Sequence, residues 1–377
     1  MVASQEQIML RDSAAGWLRE NAPIAAMRAL RGQAEGPGFD PALYQAMADM
    51  GWTGVVVPEA DGGFGFGHAG MGLIAGEMGR SLVLSPLIQS AVVGAGALSL
   101  AGTAEQKDRW LPRLIAGEIH AALALEEGPH HDPAMTALAA VADGSGWKLN
   151  GIKRPVFDAP GAALLLVAAR TSGQPGDTQG LTLFLCPADS AGIALTRLDH
   201  IDSRSAAIVS FDNVRLDGDC VLGSPDAGFA LLDRVLDRGR AVLAAEMLGG
   251  AQQAFEATMD YLRTRVQFDK VIGTFQALQH RAADLLARLE MTRSAVEAAL
   301  TAIDEDTPDQ AALASLAKAL AGATFRKVAQ EMIQLHGGIG MTDEHDSGLF
   351  LKRAQVADMT WGNAAFHRDR YARLIGL

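Results

Sequence analysis

Residues 265–279 read Arg-Val-Gln-Phe-Asp-Lys-Val-Ile-Gly-Thr-Phe-Gln-Ala-Leu-Gln, and residues 334–340 read Gln-Leu-His-Gly-Gly-Ile-Gly. Arg265 offers a planar fork of donors that matches a pyrophosphate better than a lysine would. Phe268 and Phe275 supply flat faces for a purine, and Gln267 and Gln276 supply donors and acceptors for ribose or ring edges. Gly337-Gly338 lets a backbone approach a phosphate closely, with amides as donors. Each piece also has an ordinary reading. A Gly-Gly between helices caps a helix end, an arginine on a helix is solvated, and two aromatic residues on helices pack a core. His336, inside the second stretch, reads equally as a packed helix-end histidine or as a ligand contact. No Gly-x-Gly-x-x-Gly follows a strand pattern, so a nicotinamide site has no support. The residues alone imply a helical protein with a candidate anion site.

Working outward, apolar residues recur at spacings of three and four from Ser4 to about Gly117, as in Leu10, Ala14, Trp17, Leu18 and in Leu43, Met47, Met50. Glycine and proline punctuate these helices at Gly36-Pro37-Gly38, Asp61-Gly62-Gly63 and Ser85-Pro86. Thr103 with Gln106 predicts a capping box. Between Glu118 and Gly223 the pattern changes to short apolar runs at 146–151, 163–169, 181–186, 193–198 and 207–216, with turn clusters between or within them. After Ser224-Pro225-Asp226, a predicted N-cap with proline at N1, long helical periods return. Thr307-Pro308-Asp309-Gln310 predicts another capping box. The expected fold is therefore α+β: a helical domain over 1–117, a middle antiparallel β domain over 118–223, and a C-terminal four-helix bundle over 224–377.

The chain has 377 residues, 49% of them hydrophobic, enough for two or three cores. Its 32 basic and 44 acidic residues leave a net charge of −12, which argues against nucleic acid and anionic membrane surfaces as partners. Two cysteines, Cys186 and Cys220, lack metal-ligand spacing and fit a reducing cytosol. The polar amino terminus lacks the pattern of a signal peptide, so a cytoplasmic location is expected and no metal site is.

The two opening stretches together are similar to the C-terminal signature of the acyl-CoA dehydrogenase family. The resemblance covers nearly the whole chain. Gly51-Trp-Thr-Gly-Val-Val-Val-Pro-Glu59 with Gly62-Gly-Phe-Gly65 resembles the family's N-terminal helix-to-loop motif. Trp147-Lys-Leu-Asn-Gly-Ile-Lys153 followed by Val167-Ala-Ala-Arg-Thr171 resembles its β-domain hairpin, and Phe211-Asp-Asn-Val-Arg215 with Leu222-Gly223 resembles the strand leaving that domain. The family implies FAD bound between subunits, α,β-dehydrogenation of an acyl-CoA substrate, and electron transfer to an electron-transfer flavoprotein. By the same resemblance Arg265, Gln267, Phe268, Phe275, Gln276, Gln334, His336, Gly337 and Gly338 would meet the adenine and pyrophosphate half of a neighbouring subunit's FAD.

The chain departs from the family at the flavin ring and at the base. The Thr-Glu-Pro position reads Glu126-Glu127-Gly128-Pro129, and the Trp-Ile-Thr position reads Pro155-Val156-Phe157. Glu126 and Phe157 thus stand where short hydroxyl donors are expected. The usual catalytic glutamate falls on Trp361, and the alternative base position, next to Arg240, falls on Gly239. Glu127 and Asp237 are the remaining carboxylate candidates, Asp237 on a different helical face. Three arrangements fit these residues. One is a hetero-oligomer with a paralogous dehydrogenase chain that supplies the base, as in heteromeric members such as the pimeloyl-CoA dehydrogenase small subunit. The others are a homo-oligomer with a relocated base, and a binding paralogue without FAD.

Overall fold

The computed structural model describes residues 4–32 and 36–377. The first three residues of the polar amino-terminal stretch therefore lie outside the described part. Helices α1 (Gln5–Asn21), α2 (Ile24–Leu30), α3 (Pro41–Asp49) and α4 (Gly67–Arg80) are followed by a π-helical segment (Ile88–Ala95), α5 (Gly96–Ala101) and α6 (Ala104–Ile115). Eight strands come next: β1 (Ala121–Ala124), β2 (Ala139–Asp143), β3 (Gly146–Phe157), β4 (Leu164–Arg170), β5 (Leu181–Pro187), β6 (Ile193–Arg197), β7 (Ala206–Leu216) and β8 (Val221–Leu222). The long helix α7 (Gly228–Thr264) leads to a hairpin, β9 (Val266–Gln267) and β10 (Lys270–Val271). Then come α8 (Gln276–Asp304), α9 (Gln310–His336), α10 (Ser347–Met359) and α11 (Ala364–Leu374). The order helical, β, helical is the one expected.

Two compact units emerge from the backbone. Among the described residues, one comprises 4–29, 72–83 and 240–377, and the other 30–32, 36–71 and 84–239. In the first unit, α9 packs against α8, α10 and α11, so the fourth arm of the bundle is split at Thr360–Asn363. Close approach of α4 to α7 depends on glycine. A Cβ on Gly79 would overlap the Glu246 carbonyl oxygen, and one on Gly249 would overlap that of Gly76. Arg353, fully buried, satisfies itself on Glu246 at 3.0 Å and on the carbonyls of Leu82 and Val83. Burial of that cation requires such pairing.

In the second unit the strand order is β6-β7-β3-β2-β4-β5-β8, with β1 on β4. Every pair is antiparallel except β1–β4 and a single β2–β4 register, which run parallel. Leu149, Val156, Val167, Phe184, Val209, Phe211 and Val214 fill the core. The 147–153 and 167–171 runs do not form the expected hairpin. β3 pairs with β2 and β7, while β4 pairs with β1 and β5. Strand partners are chosen by sheet-face burial across long sequence separations, which local motifs do not encode.

Two predicted helix starts are also corrected. α9 begins at Gln310 without a side-chain cap, because the Thr307 hydroxyl turns to Asp309 at 2.6 Å. α7 begins at Gly228, since Asp226 adopts φ 64° and accepts hydrogen bonds from the Thr171 and Ser172 hydroxyls at 2.7 Å. The Thr103 capping box is present as expected, with both reciprocal bonds formed.

Candidate functional site

Arg265, Gln267 and Phe268 lie on or beside the β9–β10 hairpin, which follows directly from α7. The two turn residues, Phe268 and Asp269, have φ of 53° and 61°. This is the two-residue hairpin geometry that asparagine and glycine usually occupy. A phenylalanine there is strained, and its ring is 82% exposed. Phe268 is therefore at a hairpin tip and not on a helix, and it is not part of a core. It meets Phe275 edge-on at 6.2 Å, and Phe275 precedes Gln276, the first residue of α8. The side chain of Arg265 is exposed and has no hydrogen-bond or ion-pair partner among the described residues. Its backbone, by contrast, is fixed: its N–H donates to Tyr261 and its carbonyl accepts from Ile272, each at 2.9 Å.

Gln334 and the Gly337-Gly338 pair are exposed at the end of α9. A Cβ at either glycine would meet nothing within 4 Å, and Gly337 has φ 64°, so the turn is open to whatever approaches it. His336 is not exposed with them. It is 4% accessible, donates from Nδ1 to the Met332 carbonyl at 2.7 Å, and stacks on Tyr261 with ring centroids 4.4 Å apart. Tyr261 also donates its hydroxyl to the His336 carbonyl at 3.3 Å. Burial holds the His336 imidazole below the usual histidine range, and His345 adds to that depression while the Met332 bond opposes it. Tyr261 thus ties the end of α9 to the last turn of α7, from which the hairpin departs. Sequence reasoning did not single out Tyr261 or His345. The four-residue spacing of Tyr261 from Arg265 was the available signal.

The positions that the resemblance assigns to the flavin ring, Glu126, Glu127 and Phe157, are in the other unit. Both oxygens of Glu127 are engaged: Oε1 accepts from Lys153 Nζ at 2.6 Å and from the Leu138 N–H at 2.9 Å, and Oε2 from the Ala137 N–H at 2.8 Å. Lys153 is wholly buried and also donates to the Leu125 carbonyl. Burial pulls its ammonium below the usual lysine range, with Glu127 pulling the other way. Glu126 accepts from His131 Nδ1 at 2.6 Å. Phe157 packs on His200 with centroids 4.9 Å apart.

Trp361 occupies the turn between α10 and α11, 5% exposed and at φ 55°. Its carbonyl accepts from Arg240 Nε and His367 Nε2, both at 3.1 Å. Lys318, buried completely in α9, donates to the carbonyls of Ala357, Asp358 and Gly362 at 2.9, 2.9 and 3.0 Å. The ammonium thereby terminates α10 and fixes the turn, where the helix dipole favours a cation. Asp237 is buried on α7, and Gly239, with no side-chain functional group, is buried two residues on. Burial raises the Cys186 thiol to about 12 and the Cys220 thiol to about 11, so neither is a nucleophile near neutral pH. Among the described residues there is no cluster of metal-ligating side chains, and no helix is long and apolar enough to cross a membrane.

Residues 4–118 match the acyl-CoA dehydrogenase N-terminal domain, and residues 226–376 match the acyl-CoA dehydrogenase C-terminal domain. The acyl-CoA dehydrogenase IpdE2 of Mycobacterium tuberculosis is 32% identical over 94% of this chain and 92% of its own length. A variant of the Tcur3481-Tcur3483 steroid ACAD superposes with a TM-score of 0.88 at 33% identity, covering 98% of both chains. The ChsE4-ChsE5 complex from Mycobacterium tuberculosis has a chain that superposes with a TM-score of 0.87 at 26% identity, over 99% of this chain and 98% of its own. Helical domain, β domain, helical bundle and sequence motifs thus agree, and the chain belongs to the acyl-CoA dehydrogenase family of FAD-dependent oxidoreductases acting on acyl-CoA.

Proposed function

We propose that this chain is one subunit of a heteromeric acyl-CoA dehydrogenase. In this reading it lends the adenine and pyrophosphate half of an FAD site to a paralogous chain, and that chain provides the base and the flavin-ring contacts. The observation that carries the proposal is Trp361, which stands at the base position in a turn clamped by Lys318, Arg240 and His367. An indole cannot accept the α-proton of a thioester.

The donor set divides in the same way. Arg265 and Gln267 are exposed with no side-chain partner among the described residues, and Gly337-Gly338 leaves the backbone open to close approach, which suits an anionic dinucleotide arriving from another subunit. At the ring-facing positions the chemistry does not fit. Glu126 places a carboxylate already bonded to His131 where a donor is needed, and Phe157 offers only carbon. When bound, FAD supplies the hydride acceptor of the dehydrogenation. A relocated base is less well supported, since Glu127 is held by a lysine and two backbone amides. Two of the similar structures are named as pairs, Tcur3481-Tcur3483 and ChsE4-ChsE5, which favours the same arrangement here.

The test is to purify the chain alone and together with a paralogous dehydrogenase encoded beside it. Flavin content is read at 450 nm, and turnover is read on short-chain and steroid side-chain acyl-CoA thioesters. Low flavin and no turnover alone, with both restored by the second chain, is the expected result. A homo-oligomer with one FAD per chain that dehydrogenates acyl-CoA unaided would overturn the proposal.

A further inference from the structure

The β9–β10 hairpin sorts its side chains by face. Val266 stands opposite Val271, and Gln267 stands opposite Lys270. The bond from the Ile272 N–H to the Arg265 carbonyl at 2.9 Å continues this register one pair further. Cross-strand partners project to the same side of a ribbon, and successive residues alternate sides. Val266 and Val271 therefore share one face, while Arg265, Gln267 and Lys270 share the other. Lys270 is exposed, and its ammonium has no hydrogen bond or ion pair among the described residues. Asp269, beside it at the tip, pairs with neither Lys270 nor Arg265. Lys270 Nζ instead lies 5.7 Å from the centroid of the Phe275 ring, the ring that Phe268 meets edge-on. This contact restrains a long side chain that would otherwise sweep through solvent.

We propose that Lys270 is the second cation of a diphosphate clamp. Arg265 and Lys270, on one face of the hairpin, each meet one phosphate of a dinucleotide, and Lys270 sets the preference for a diphosphate over a monophosphate. This rests on the dinucleotide reading given above. A pyrophosphate diester carries a negative charge on each phosphate, so a single guanidinium leaves half of it unmatched. The two backbone positions are about 7 Å apart along the strands and about 5 Å across them, within reach of one pyrophosphate for side chains of this length. Two cations with no acidic partner on one face also repel each other until an anion bridges them. Their chemistry is complementary. The arginine offers a planar fork that fixes orientation, and the lysine offers a point charge that follows whichever oxygen is presented.

The test titrates the full chain, stripped of flavin, with ADP and with AMP by calorimetry at two ionic strengths. The unmodified protein should prefer ADP. Lys270→Met keeps an unbranched stem against Phe275 and removes the charge. It should weaken ADP binding about 3- to 10-fold, between the worth of an exposed ion pair and that of a charge-assisted hydrogen bond. AMP binding should change less, and the salt dependence of ADP binding should flatten. Lys270→Arg should retain the preference for ADP. Melting temperature without nucleotide separates binding from packing. A Lys270→Met chain that melts earlier and loses ADP and AMP affinity by the same factor would overturn the clamp, since the lysine would then only support the hairpin. Unchanged ADP affinity in Lys270→Met, with a loss in Arg265→Ala, would overturn the clamp and keep the dinucleotide reading. A chain that binds no ADP at all would refute that reading and the clamp together.

Discussion

Replacing Arg265 by alanine isolates the dinucleotide contact from folding. The guanidinium is exposed and bonds to nothing among the described residues, while the backbone on either side is held by Tyr261 and Ile272. Removing it deletes no hydrogen bond or ion pair among the described residues, so stability should stay within about 0.5 kcal/mol. A charge-assisted bond to a pyrophosphate contributes about 1.5–3 kcal/mol. That corresponds to a loss of FAD affinity on the order of 10- to 150-fold. The measurement is a flavin fluorescence titration of the two-chain assembly at fixed ionic strength, because an exposed cation is screened by salt. Arg265→Lys should fall between the two, since an ammonium keeps the charge but loses the bidentate fork. Unchanged FAD affinity in a folded Arg265→Ala assembly would refute the reasoning. So would a loss of flavin that merely follows a fall in melting temperature.

Phe268→Gly should stabilise the chain by about 0.5–1 kcal/mol, because glycine accepts φ 53° without strain. The same change should weaken flavin retention, and denaturant midpoints alongside absorbance at 450 nm would show both effects. Lys318→Met should cost on the order of 3–5 kcal/mol, since it leaves three buried carbonyls at the α10 terminus without a donor, and chemical denaturation measures it. His120, His200 and His336 are all held below the usual histidine range by burial. As pH falls through about 6.5 the unfolded chain takes up protons that the folded chain refuses, so stability must decline there. His120→Gln should reduce that slope between pH 7 and 5, and an unchanged slope would count against the assignment.

The order of layers was legible because helix and strand periods differ, and the Thr103–Gln106 pair marked α6 correctly because both halves of a capping box are local. The Thr307 and Ser224 starts were misread because a hydroxyl or carboxylate with the right spacing can serve a turn instead of a helix. The Thr307 hydroxyl goes to Asp309 within the same short stretch, whereas Asp226 is taken by the Thr171 and Ser172 hydroxyls from a segment distant in sequence. The β7 partner of β3 was not legible, since it is paired across some sixty residues of sequence. At the site, the residue types of the 265–276 segment suggest a ligand. Their geometry is not legible in the same way: nothing local says that Phe268 caps a hairpin in a left-handed conformation, or that His336 turns inward onto Tyr261.

The hairpin that bears Phe268 has a practical corollary. A bulky ring displayed at a bent tip, with Val266 beside it about half accessible, is a greasy projection in water. Exposed apolar side chains side by side favour association. Preparations of this polypeptide by itself should therefore self-associate or adhere to chaperones in a concentration-dependent manner. Glycine at the tip should cure that behaviour while leaving the rest of the molecule intact.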